Sequence, residues 1–194
     1  MEDKEAGILA AAVEIFGRYG FDRASVAVIA KAAGVATGSI YNYFDGKDHL
    51  LTEVFRRYMK IYLELQNSAL ALEPAGVSQL SGFCHRHFEI FSRDRQLARV
   101  FHVHWRETQA TNREGLLPSL RAYYELIGKL IEDGIVAGEF APGLNCRLAS
   151  QMMVGSMDEV ITAWSMSESE HDLVEQADGL AEILERAFCQ VATH

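Results

Sequence analysis

The chain has 194 residues, 49% of them hydrophobic and 23% charged, an ordinary globular composition with enough apolar material for a core that needs no disulfide staple. Its three cysteines, Cys84, Cys146 and Cys189, are far apart, odd in number and without a CxxC pair, which suggests neither a disulfide framework nor a zinc ribbon and fits a reducing cytoplasm. A net charge of −9 argues, taken whole, against nucleic acid, yet residues 17–47 carry four Lys or Arg against two Asp, while residues 167–185 carry seven carboxylates and no Lys or Arg.

In chain order the pattern is helical throughout, without sustained alternation or β-branched runs. A first helix is predicted over about 3–19, with Ile8, Ala12, Ile15, Phe16 and Tyr19 on one face and Gly20 as its C-terminal cap. Ser25 is a natural N-cap for a second helix that turns Val26, Ile29, Ala30 and Ala33 inward and stops at Gly34. Thr37 is read as the cap of a short third helix over 37–43, and Asp45 as the cap of a fourth over 46–71. Five more follow, over about 77–92, 95–110 with a break near Asn112–Gly115, from Pro118 to near Gly138, from near Asn145, and from near His171.

The acidic Met1–Glu5 stretch does not resemble a secretion signal, and the most apolar helix, Leu148–Met166, carries Asp158 and Glu159 near its centre, which excludes a membrane span. That eighth helix is apolar all round its wheel, through Met152, Met153, Val154, Met157, Val160, Ile161 and Trp164. Such a helix is either central in a monomer or shared between the core and a second copy, and periodicity alone does not choose.

The most specific pattern is Ser25–Lys47. Two helices joined by Gly34-Val35-Ala36, with the small Ala30 at the crossing and Ile40 reaching back into the shared core, form a helix-turn-helix whose second helix can enter a major groove roughly 12 Å wide. The run from Val28 to Phe44, followed by Lys47-Asp48-His49-Leu50-Leu51, resembles the TetR family of bacterial repressors over about residues 8–55. The resemblance implies an all-α chain of about nine helices: a three-helix DNA-binding head, 1–46, on a larger ligand-binding and dimerising bundle, 47–194. It implies DNA contacts from Ser25, Thr37, Gly38, Ser39, Tyr41, Asn42, Tyr43 and Lys47, with Phe44 packing the head. Residues 37–43 contain no Lys or Arg, so Arg–guanine readout is closed to this helix. Modest affinity per head is expected, with a palindromic operator bound by two heads of a homodimer paired through helices eight and nine.

In the body, His87-Phe88, Leu97-Ala98, Arg106 with Arg113, Arg147-Leu148-Ala149, Gln151-Met152, Gly155, Asp158-Glu159, Trp164 and Asp172-Leu173 resemble the regulators of fatty-acid degradation in that family. This resemblance implies a long-chain acyl-CoA effector and no cofactor. An apolar tunnel is expected from Phe83, Phe88, Phe101, Trp105, Tyr123, Tyr124, Ile127, Met152 and Met153, with Arg106, Arg113 or Arg121 for the phosphates. Plain core packing explains the same aromatic and Met positions. The alternative effector is a drug or other hydrophobic metabolite, with an efflux or catabolic operon under control. Neither Cys84, His85 and His87 nor His102 and His104 make a ready metal site alone, because i, i+2 neighbours diverge on a helix; a site combined from helices five and six is the alternative to packing histidines, and no metal is expected. No P-loop, GxSxG or HExxH is present, so an enzyme is not expected. A lipid carrier with a vestigial head would bind acyl-CoA and no DNA.

Overall fold

The computed structural model describes residues 2–103, 110–168 and 172–189. Among them are nine α-helices and, outside the helices, a single antiparallel bridge between Phe140 and Cys189. The helices are α1 (Glu2–Tyr19), α2 (Val26–Ala32), α3 (Thr37–Ile40), α4 (Lys47–Leu70), α5 (Val77–Ser92), α6 (Arg95–His102), α7 (Ala110–Val136), α8 (Cys146–Met166) and α9 (Gln176–Phe188). The chain falls into two compact units, Met1–Lys60 with Asp94–Ser119, and Ile61–Arg93 with Leu120–His194.

In the first unit, α1 buries Ile8, Leu9, Ala12, Val13, Ile15 and Phe16 against α2 and α6. The approach to α6 is close: a Cβ on Gly17 would fall 2.5 Å from the carbonyl oxygen of Gln96. Gly20 ends α1 at φ 78°, its N–H returning to the Phe16 carbonyl at 2.9 Å. Ser25 caps α2 by accepting the Val28 N–H at 3.3 Å. Gly34 makes the turn to α3 at φ 67°, a left-handed conformation that costs a residue with a Cβ and is free to glycine. Ile29, Ala30, Ile40 and Phe44 close the small core of the head.

In the second unit, α5 packs on α8 and α9. The buried side of α8 is Ala149, Met153, Met157, Ile161 and Trp164, each large side chain contributing about 1.5–3 kcal/mol by burial. Asn145 caps α8 by accepting the Leu148 N–H at 3.1 Å. The free end of α5 is met by a carboxylate from the α7–α8 connection, Glu139, whose Oε2 accepts the Val77 N–H at 2.8 Å. After α9 the chain returns to that connection, where Ala141 N–H donates to the Phe188 carbonyl at 2.8 Å and the Phe140 and Phe188 rings meet edge on.

Several helix limits differ from the sequence expectation. Residue Ala36, not Thr37, is the N-cap of α3, and α3 ends at Ile40, the turn closing with Phe44 N–H on the Ile40 carbonyl. The first bond of α4 runs from Leu50 N–H to the Gly46 carbonyl, which puts the N-cap at Gly46 and not Asp45; Asp45 donates its own N–H to His49 Nδ1 at 3.1 Å. The sixth helix stops at His102, and residues 104–109 lie outside the described ones. The break near Asn112–Gly115 is absent: α7 runs from Ala110 through Pro118, whose missing N–H removes one rung without ending a helix that buries Leu116, Leu126, Ile127 and Leu130. The ninth helix begins at Gln176. Before it, Asp172 accepts the Val174 N–H at 2.9 Å, a local turn that competes with helix.

Candidate functional site

The first candidate site is the outer face of the helix-turn-helix. Ser25, Thr37, Gly38, Tyr41 and Asn42 are exposed, and Ser39, Tyr43 and Lys47 are half-buried. Tyr41 is 56% exposed, too open for a purely packing ring, whereas Phe44 is 2% exposed and belongs to the core, as expected. Gly38 lies in α3, Tyr41 is its C-cap and Asn42 follows in the closing turn, and all three are exposed. The Ser25 hydroxyl spends one acceptor position on its cap and keeps its proton to donate elsewhere.

Positive charge around this face is held by the local backbone. Lys47 donates its ammonium to the carbonyls of Phe21 at 2.8 Å and Asp22 at 3.3 Å. Arg23 Nε donates to the Tyr19 carbonyl at 3.0 Å, and Arg18 pairs with Glu14 at 2.9 Å. Bonds to neutral carbonyls leave a full charge at the surface, so Lys47 and Arg23 still attract an anion. Val28 and Lys31, the latter one of the four basic residues counted over 17–47, are exposed on α2. Val28 was readable only as a break in the inward stripe.

The second candidate is the aromatic core of the second unit. The sequence-predicted Phe83, Phe88, Ile127 and Met153 are fully buried there, and Tyr123 nearly so. The rings of Phe83, Phe88 and Tyr123 lie against a polar hub that the sequence reading missed. Tyr62 Oη lies 2.7 Å from His87 Nδ1, accepts from Gln66 Nε2 at 3.1 Å, and hydrogen-bonds Tyr123. Gln66 Oε1 accepts from Arg86 Nε at 2.9 Å, and Arg86 forms a two-bond fork with Glu73, one arm at 3.1 Å. The rings of Tyr62, Phe83, His87 and Tyr123 lie 5.6–6.4 Å apart. The signal for Tyr62 and Gln66 was their i, i+4 spacing on the inner face of α4. Burial pushes both phenols far above their ordinary range and the Cys84 thiol up to about 12, the last partly offset by Arg86.

The remaining predicted wall residues are not in this cluster. Met152 is 44% exposed and stands about 100° round α8 from the buried Met153, so it lies outside this buried cluster. Phe101 belongs to the first unit and stacks on Phe55 with centroids 4.2 Å apart. Trp105, Arg106 and the Arg113 side chain lie outside the described residues. Arg121 and Tyr124 are exposed. An open groove of about 690 Å³ runs between α7 and α8, lined by Tyr124, Gly128, Glu132, Cys146, Arg147, Ser150 and Gln151. Only Tyr124 is shared with the predicted wall. His85 turns to Asp178 at 2.7 Å and His87 to Tyr62, so the i, i+2 pair is divided as its spacing requires. No described helix is long and apolar enough to cross a membrane.

A helix-turn-helix with an exposed, neutral second helix, in an all-helical chain, defines a transcriptional regulator of the helix-turn-helix class. This chain belongs to the TetR family of bacterial regulatory proteins: that family's model matches residues 8–54, and the model of the YsiA-like protein C-terminal region matches residues 55–187. It is 32% identical over 177 residues to the fatty acid metabolism regulator protein of Bacillus subtilis, covering 91% of each. Among solved structures it is similar to the fatty acid degradation regulator FadR of Bacillus halodurans, with a TM-score of 0.90, 32% identity and 94% of each chain covered. It is also similar to FadR of Bacillus subtilis in complex with stearoyl-CoA, with a TM-score of 0.87, 32% identity, and 92% of this chain and 96% of that one covered. These relatives are regulators, not enzymes.

Proposed function

We propose that this chain is a cytoplasmic, homodimeric repressor that binds a palindromic operator and is released from it by long-chain acyl-CoA, so that fatty-acid degradation is switched on when its substrate accumulates. The observation that carries the reading is the 32% identity, over nearly the whole chain, to a regulator whose structure holds stearoyl-CoA. Residues 1–46 are the DNA-binding domain and 47–194 the effector-binding and dimerising domain. In the first, Ser25, Thr37, Ser39, Tyr43 and Lys47 supply phosphate contacts that set register, and Gly38, Tyr41 and Asn42 face the bases. In the second, the aromatic cluster of Phe83, Phe88, Tyr123, Ile127 and Met153 takes the acyl chain. Arg106 and Arg113 take the phosphates.

The dimer is assigned to α8 and α9. Leu148, Met152 and Met166 line the outer side of α8, and Ile183 that of α9, all more than 40% exposed. Gly155 and Gly179 are exposed on these helices, and a Cβ at either would meet nothing within 4 Å, so the chain's own packing does not ask for glycine at these positions. Glycine there allows a second copy's helices to come close. Release follows if acyl-CoA prefers a dimer whose heads no longer match the operator spacing.

Titration of the dimer with stearoyl-CoA tests the effector. At a hundredfold excess over Kd, linkage adds about 2.7 kcal/mol of stability, so the melting temperature rises clearly, and CoA or stearate alone leaves it in place. A rise with unrelated aromatic cations, and none with stearoyl-CoA, replaces the effector with a drug-like one.

A further inference from the structure

Three glycines of the first unit answer to different demands. Gly34 takes the left-handed conformation of its turn, and Gly17 leaves room for the Gln96 backbone. Gly38 meets neither need. It lies in α3 without a positive φ, it is exposed, and a Cβ there would meet nothing within 4 Å. Alanine is the better helix former at such a position, so the fold by itself favours alanine.

Asn42, in the turn that closes α3, is exposed like Gly38, and the whole stretch 37–43 offers no cation for guanine. In the major groove the one apolar group is the thymine C5-methyl, and adenine presents the acceptor–donor pair that matches a carboxamide. Resting on the DNA-binding reading above, we propose that Gly38 and Asn42 together read A·T pairs. The bare Cα of Gly38 accepts a thymine C5-methyl at van der Waals contact, and the Asn42 carboxamide pairs with N6 and N7 of an adenine. The missing side chain is thus a specificity element: the methyl that fits there is supplied by the DNA.

The test exchanges that methyl between protein and DNA. Full-length protein enriches duplexes from a random-sequence pool, and the recovered palindrome is resynthesised with its thymines replaced one at a time by deoxyuracil. Wild type is expected to lose about threefold or more in affinity at one thymine of each half-site. Gly38→Ala is expected to lose about tenfold or more on the thymine duplex and to recover most of this on the same deoxyuracil duplex. Its melting temperature stays at or above that of wild type. Asn42→Ala relaxes the preference for adenine at one neighbouring position. The proposal is overturned if Gly38→Ala binds as wild type, if it loses equally on both duplexes, or if the enriched half-sites place G·C pairs at these positions. Failure to enrich any duplex would remove the DNA-binding reading together with this one, whereas the other contrary outcomes remove only the A·T reading.

Discussion

The Lys47 ammonium donates to the Phe21 carbonyl at 2.8 Å and stands 4.3 Å from the centroid of the same residue's ring. One side chain at the start of α4 thereby clamps the turn between α1 and α2, through a charge-assisted bond and a cation–π contact. The residue that the family resemblance casts as a phosphate contact is also a structural tie.

Replacing it separates the two roles. Lys47→Met is expected to lower stability by about 1–2 kcal/mol in urea denaturation, because the clamp is half-buried and both acceptors can turn to water. If Lys47 also meets a phosphate, the dependence of operator affinity on log salt becomes shallower by about one unit. An unchanged slope with lost stability leaves only the clamp.

Tyr62 holds its hydroxyl among His87, Gln66 and Tyr123 in a buried cluster. Removing that oxygen strands partners that water does not reach, so Tyr62→Phe is expected to cost about 1–3 kcal/mol despite its conservative shape. Tyr19→Phe, at a ring 43% exposed, serves as the control and is expected to stay within about 0.5 kcal/mol of wild type. Equal effects from both would mean that the hub contributes nothing.

Cys84 links stability to alkaline pH. In the unfolded chain a thiol ionises near about 8.5, whereas burial in the fold pushes Cys84 up to about 12. Over that window the unfolded state has shed a proton that the folded state keeps, so stability is complete below the unfolded value and falls as pH rises. The slope from this one group approaches about 1 kcal/mol per pH unit. Cys84→Ala removes it, and its stability curve between pH 9 and about 11 should be flatter than that of wild type; parallel curves would contradict the assignment.

The outer side of α8 makes the prediction for assembly. Leu148→Glu combined with Met152→Glu places carboxylates on the face assigned to the second copy, while leaving Met153 and Met157 in the core. Light scattering should then report the mass of one chain, with helical content kept. A dimer of unchanged stability would move the interface elsewhere.

Local signals carried most of the fold. Ser25, Gly20, Gly34 and Asn145 act in the structure as their side chains, or the lack of one, require. Long-range packing decided what local signals could not. Pro118 reads as a helix start, yet it is held inside α7 by a buried face on either side of it. Met152 and Met153 are indistinguishable by composition and separate only once α8 has a buried side. Tyr62 and Gln66 carry the site's polar centre from α4, a helix read only for its boundaries. The exposed turn between α2 and α3 follows from local cap and turn signals, whereas the lining of an effector site is dictated by a ligand that leaves no regular period.

The most direct test is retardation of a palindromic duplex from the chain's own promoter region, at stated salt, with and without stearoyl-CoA. The account predicts a complex that is lost at micromolar stearoyl-CoA and survives free stearate or CoA alone. A complex indifferent to stearoyl-CoA would contradict the effector and leave a repressor governed by some other ligand.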